Sequence, residues 1–240
     1  MDSYIAIDLE TTGLNPKTEK IIEIGALRIL CGKEEARFHR LVNPRRKLSQ
    51  EITSLTGITD QMVENSPGIE EIIGELAKFC GDLPLLGHHV IFDYSFLKRA
   101  AVNQGIQWEK EGVDTLALCR SFMPAETSKT LKEACRFYHI EMGACHQAVS
   151  DAEAAHLLYQ AVKRLHGASG LRQFEPKKFV YKVKKEQPAS KRQKERLQEL
   201  LKYHKIEAPV QIEYLTRNEA SRLTDKILSE YKAYKRGEKP

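Results

Sequence analysis

No apolar run in this chain of 240 residues approaches the ~18 that a membrane-spanning helix needs, so no such span is expected. Paired cysteines are missing as well. The five present (Cys31, Cys80, Cys119, Cys135 and Cys145) make an odd count and contain no Cys-x-x-Cys. That argues against a disulfide framework and against a zinc site, and it fits a reducing, cytoplasmic setting. Cys145 adjoins His146, but sequence neighbours rarely face each other productively, and a small buried thiol is the commoner role. No internal repeat or low-complexity tract occurs, and no charged and apolar leader opens the chain, so no secretory signal is expected. What is present describes a soluble globular protein, 41% hydrophobic and 30% charged. Its length suits one ordinary domain plus something smaller.

The net charge of +5 conceals an asymmetry. Residues 1–166 hold 19 Lys and Arg against 23 Asp and Glu, a net of −4, whereas residues 167–240 hold 19 against 10, a net of +9. An acidic front with a basic tail suits a metal-binding catalytic part joined to a segment that meets polyanions, although a basic tail is about as often a solvated helix surface. Between Arg172 and Arg196 there are 10 basic and 3 acidic residues, with Phe174, Phe179 and Tyr181 interleaved. That mix can engage phosphates and stack on bases, but aromatics in a linker more often pack back onto the parent domain.

Strand patterns come first: residues 4–7, then 21–30 and 36–42 around a Cys-Gly-Lys turn, an antiparallel meander. Helical spacing follows at 50–55, 68–80, 92–104, 115–122 and 130–139, with a strand at 83–90. Residues 150–166 give the clearest helix, with acids at its start and Lys163 and Arg164 near its end. This order predicts an α/β layered domain closing near His166. Farther on, residues 190–203 read as a helix, and Thr216-Arg-Asn-Glu219 is a capping box opening another. The expected organisation is a catalytic domain over 1–166, a basic linker over 167–188 and a small helical accessory module over 189–240.

Asp8 and Glu10 carry the first chemical signal, in YIAIDLETTGL. On a strand, residues i and i+2 point to the same side, so both carboxylates project together. They repel one another unless a cation lies between them, and oxygen-only ligands suit Mg²⁺ or Mn²⁺. A lone Asp-x-Glu is more often a solvated turn. Here it is joined by LTGIT at 55–59, by GHHVIFDYSFL at 87–97, which sets Asp93 at a helix start, and by HQAVSD, in which His146 precedes Asp151 by five residues. Three separated acidic sites and a histidine, each at a strand or helix edge, are what a two-metal phosphoryl-transfer site requires.

These four motifs, in this order, resemble the DEDD 3′–5′ exonuclease superfamily over residues 3–166. The His-x4-Asp spacing marks its histidine subgroup (DEDDh), which includes the epsilon proofreading subunit of bacterial DNA polymerase III. The tyrosine subgroup would place Tyr four residues before Asp151, where this chain has Gln147. The resemblance implies a ribonuclease H-like fold, a mixed five-stranded sheet flanked by helices. It makes Asp8, Glu10 and Asp151 direct metal ligands, with Asp8 bridging two cations and Asp93 holding the second partly through water. It makes His146 the general base. Thr11 and Thr12 would meet the terminal 3′-OH, Leu14 and Phe96 would wedge against or stack on the last bases, and Ile58 would line the terminal-nucleotide pocket; plain core packing is an equal account of Leu14 and Phe96. The family usually has Asn where this chain has His89, which puts local geometry in question. His88 and His89 as a metal pair are disfavoured, since strand neighbours point to opposite faces.

The implied activity is release of nucleoside monophosphates from single-stranded 3′ ends of DNA, with RNA as the other substrate class, in proofreading, repair or trimming. A protein that binds 3′ ends without cutting, or docks a replication partner, is the alternative on the same fold. The C-terminal module would serve as an accessory contact to nucleic acid or to a replication or repair protein.

Overall fold

The computed structural model describes residues 1–143, 146–168 and 171–235; the expectation for Cys145 falls outside them. A central sheet runs β3-β2-β1-β4-β5-β6. Its strands are β1 (Tyr4–Thr11), β2 (Ile21–Leu30), β3 (Lys33–Leu41), β4 (Leu85–Gly87), β5 (Glu111–Asp114) and β6 (Lys177–Lys178). β1, β2 and β3 form the antiparallel meander, while β4 runs parallel to β1 and β5 parallel to β4. The helices are α1 (Gln50–Thr56), α2 (Asp60–Val63), α3 (Ile69–Cys80), α4 (Ile91–Asn103), α5 (Thr115–Phe122), α6 (Leu131–Phe137), α7 (Ala148–His166), α8 (Lys191–His204) and α9 (Arg217–Lys235). None among the described residues is long and apolar enough to cross a membrane.

β1 shows why its start reads as an unbroken apolar run. Ile5, Ile7 and Leu9 join one buried cluster, which includes Ile72, Ile73 and Leu76 of α3 and Tyr94 and Leu97 of α4. Tyr4 and Ala6 join a second, with Leu118 of α5, Ala134 of α6 and Leu158 and Val162 of α7. Both faces are covered, so alternation with polar residues is absent. Each fully buried aliphatic side chain contributes about 1.5–3 kcal/mol. Asp8 and Glu10 share the parity of Tyr4 and Ala6, so the pleat directs them to the α7 face.

The sheet has a sixth strand beyond the five expected. Lys177–Lys178 pairs antiparallel with β5, and the Phe179 N–H donates to the Lys110 carbonyl at 3.0 Å. Aromatics secure it: Phe174 is buried beside Tyr159, and the Phe179 ring lies 5.0 Å from that of Tyr94. All three aromatics of the basic stretch therefore pack on the sheet domain, Tyr181 included.

The chain divides into two compact units, one of residues 1–44 and 48–183, the other of residues 45–47 and 184–240. The second has a thin core of Ala189, Leu197, Leu201, Leu215, Ala220 and Ile227. Capping boxes open both of its helices: Ser190 with Gln193, and Thr216 with Glu219. Arg46 bridges antiparallel to Val210, and the Arg45 guanidinium lies 4.2 Å from the Tyr214 ring centroid, so residues 45–47 are part of this unit's own structure.

Candidate metal and nuclease site

The C-terminal end of β1 delivers Asp8 and Glu10 to the first turn of α7. Glu10 Oε1 lies 3.9 Å from His146 Nδ1, and the ligating atoms of Glu10, His146 and Asp151 all fall within 4.8 Å of one another. His146 holds a left-handed backbone, φ 59, a region that histidine enters more readily than most residues. Its N–H donates to Asp151 Oδ2 at 3.0 Å, tying the residue before the helix to the acid within it. The His146 side chain is about half exposed, at 50%, which leaves the imidazole open to solvent.

Asp93 enters from α4, in the first turn and 3% exposed. The turn before it explains a departure in the sequence. His89 is at φ 71, where Asn, Asp and His are the favoured non-glycine residues, so His stands in for Asn without a forbidden backbone. The His89 N–H donates to Asp114 Oδ1 at 2.8 Å, and its ring stacks on Phe92. His88 is fully engaged within the fold: Nδ1 pairs with the Thr115 hydroxyl at 2.9 Å and Nε2 with the Lys129 carbonyl at 2.7 Å.

The electrostatics record how crowded the acids are. Burial pushes the Asp8 carboxyl well above the usual aspartate range, and Asp93, Asp151, Glu10 and Glu23 push it further. Asp8 is partly exposed. Glu10 is raised to about 7, by burial first and then by Asp151 and Glu23. Asp93 is raised by burial, with hydrogen bonds from the backbone at Asp93 and Leu9 opposing and Asp114 and Glu10 adding. Asp151 is raised by burial and by Glu23, against the His146 N–H and ring. Four carboxyl groups that resist ionising together form a site whose natural complement is a hard divalent cation. The carboxylate oxygens of this set suit such a cation, while the imidazole, a donor favoured by softer metals, is left free for another role.

A family model for exonucleases, RNase T, matches residues 5–159, spanning β1 through most of α7. The chain belongs to this exonuclease family. The PolC-type DNA polymerase III of Halalkalibacterium halodurans is 38% identical over 162 residues, 67% of this chain and 11% of that protein. The chain thus spans about a tenth of the length of that curated relative. E. coli exonuclease I in complex with a dT13 oligonucleotide superposes with a TM-score of 0.61 at 17% identity, over 70% of this chain and 42% of that one. Exonuclease X in complex with 5′ overhanging duplex DNA gives 0.53 at 23%, over 70% and 93%. At these identities the likeness establishes the fold of the exonuclease domain.

The remaining sequence-derived residues divide by environment. In the exonuclease domain the Thr11 hydroxyl donates to the Gly13 carbonyl at 2.8 Å, and the Thr12 hydroxyl to Glu19 Oε2 at 2.7 Å, so both hydroxyls shape the loop after Glu10. Leu14 projects from that loop, 85% exposed. Phe96 is 4% exposed and packs on Phe92 in the core, and Ile58 is 3% exposed beside Ile22 and Val63. Sequence reading missed Glu23, a buried carboxylate that adds charge to the site, and Gly25, which lies opposite Asp8. The one signal for Glu23 was a lone acid inside an apolar strand.

Proposed function

We propose that this exonuclease domain removes nucleoside monophosphates from single-stranded 3′ ends, DNA in preference to RNA, with two divalent cations, Mg²⁺ or Mn²⁺. The observation that carries this reading is the meeting of Glu10, His146 and Asp151 within 4.8 Å, beside Asp8 and Asp93 in one field of mutually raised acids. Asp8, Glu10, Asp93 and Asp151 are the residues that would hold the cations. When bound, such cations offset the acids' repulsion, neutralise charge on the scissile phosphate and lower the pKa of water.

His146 takes the proton of the attacking water. Carboxylates committed to cations cannot accept it, whereas the half-exposed imidazole keeps a ring nitrogen that can. Its half-exposed ring admits solvent, and the left-handed turn and the bond to Asp151 fix where that ring begins. Leu14, exposed beyond the Thr11–Gly13 turn, is the apolar group available to meet a terminal base. The basic second unit supplies a contact to the nucleic-acid backbone or to a replication or repair protein, and the setting is proofreading, repair or trimming.

Matched DNA and RNA oligonucleotides, labelled at either end and incubated with Mg²⁺, Mn²⁺ or chelator, test this. Mononucleotides released first from the 3′ label, only with metal and faster from DNA, are expected. Binding of 3′ ends without release under every metal condition would overturn catalysis in favour of a non-cutting protein.

A further inference from the structure

Glu23 is only 7% exposed, in a strand whose other residues are mostly apolar and buried. It stands opposite Glu10 in the β1–β2 register. Glu23 is also one of the acids that push Glu10, Asp8 and Asp151 upward. Its bonds identify a role. Oε2 accepts the N–H of Ala148, the first residue of α7, at 3.0 Å, and Oε1 pairs with Nε2 of His39 on β3 at 2.7 Å.

The helix needs this acceptor. The first N–H groups of any helix lack internal partners. At α7 the residue that would cap them, Gln147, makes no side-chain capping bond, in contrast to Ser49, Thr130 or Ser190 at other helix starts. Two residues beyond Glu23, the strand opens a gap for the same turn. A Cβ on Gly25 would lie 2.2 Å from the Ala148 carbonyl carbon and from the Val149 nitrogen. β2 therefore receives the start of α7 twice, through a missing side chain and through a buried acceptor. That bond falls between His146, two residues earlier, and Asp151, three residues later.

We propose that Glu23, steadied by His39, is a positioning residue that sets the first turn of α7 and so places His146 and Asp151 against Asp8 and Glu10. This rests on the nuclease reading above for its kinetic consequence but not for its structural one. A displacement of about 1 Å in a catalytic group can cost roughly 100-fold in rate.

Two substitutions separate the hydrogen bond from the charge. Glu23→Gln keeps an acceptor at the same reach and removes the charge; Glu23→Asp keeps the charge and withdraws the acceptor by one methylene. In the full chain, Glu23→Asp should lower kcat about 10–100-fold with KM little changed, as supporting residues around such sites do, and Glu23→Gln should stay within about threefold of wild type. Hydrogen exchange over residues 147–151, followed by mass spectrometry, should quicken in Glu23→Asp and stay slow in Glu23→Gln. The reverse order in both measurements would make the charge decisive and overturn the proposal, as would unchanged exchange in Glu23→Asp. If wild type releases no nucleotide, the nuclease reading fails by itself, while the exchange result still decides the positioning role.

Discussion

The two units of this chain handle charge in opposite ways. The first, −4 overall, gathers Asp8, Glu10, Glu23 and Asp93 where water is scarce, and burial and proximity raise three of them above their ordinary range. The second holds 18 Lys and Arg against 9 Asp and Glu, a net of +9, and much of that charge stands on exposed helix surface, as at Lys191, Arg192 and Arg196. Concentrated, desolvated charge needs a specific counter-ion and can do chemistry with it. Dispersed, hydrated charge needs no partner of fixed geometry and gives salt-dependent attraction instead. On that difference rests our proposal of catalysis in one unit and affinity in the other.

The sharpest way to break that assignment is to remove the concentrated charge. Asp8→Ala, Glu10→Ala and Asp151→Ala should each take metal-dependent nucleotide release to the detection limit, because each deletes a proposed ligand. The metal-free fold should survive, since every deletion also relieves repulsion within a raised cluster. Wild-type rates in all three, measured with a 3′-labelled oligonucleotide, would show that the site lies elsewhere.

His146→Ala comes next. It should retain metal binding and lose about 10²–10⁴-fold in kcat, with partial recovery as pH rises and hydroxide replaces the missing base. Because the imidazole lies within 4.8 Å of the Glu10 and Asp151 carboxylates, close enough to share a cation with them, metal titration must accompany the kinetics. Weakened metal affinity at normal rate would turn His146 from a base into a ligand.

The raised acids also predict how stability responds to pH without metal. Glu10, ordinarily near 4.5, is raised to about 7 in the fold, so the folded state holds a proton that the unfolded state releases in that interval. Its contribution is complete below about pH 4.5 and is lost as pH rises through about 7, at most about 3 kcal/mol for this group. Asp8, Asp93 and Asp151 shift in the same direction. Chelator-treated protein should therefore melt lower at pH 8 than at pH 5, and Mg²⁺ or Mn²⁺ should restore most of the difference at pH 8. An apo melting temperature that climbed across this range would contradict the electrostatic account.

Local patterns made part of this comparison readable in advance. Asp8 and Glu10 declare their shared face by strand parity, and the capping box at Thr216 needs only four consecutive residues. What stayed hidden depends on distant partners. Lys177–Lys178 has no strand pattern of its own and becomes one through β5 and the Phe179–Tyr94 contact. Glu23 gains its meaning from an amide 125 positions along the chain. The bridge between Arg46 and Val210 joins segments far apart in the chain and cannot be seen from either alone. Phe96 shows what a motif leaves open: base contact and core packing fit its sequence equally, and the side chain is buried among core residues.

The smallest expected effect tests the dispersed half of the comparison. Arg192 and Arg196 are both exposed on α8 and lie one helical turn apart, so their guanidinium groups share a face. Neither belongs to the thin core of Leu197, Leu201 and Ile227, so Arg192→Gln with Arg196→Gln should leave folding intact. Each phosphate contact removed should flatten the slope of log affinity against log salt by about 0.7 for single-stranded DNA. The double variant should therefore bind a single-stranded oligonucleotide more weakly at low salt and converge on wild type at high salt. Its turnover of a short oligonucleotide at saturation should not change, because the acids proposed to perform the chemistry belong to the other unit. Fluorescence anisotropy across a salt series gives the slope, and nucleotide release gives the rate. An unchanged slope would move this face of the basic unit from nucleic acid to a protein partner, whereas a fall in saturated turnover would show that the two kinds of charge are not separable.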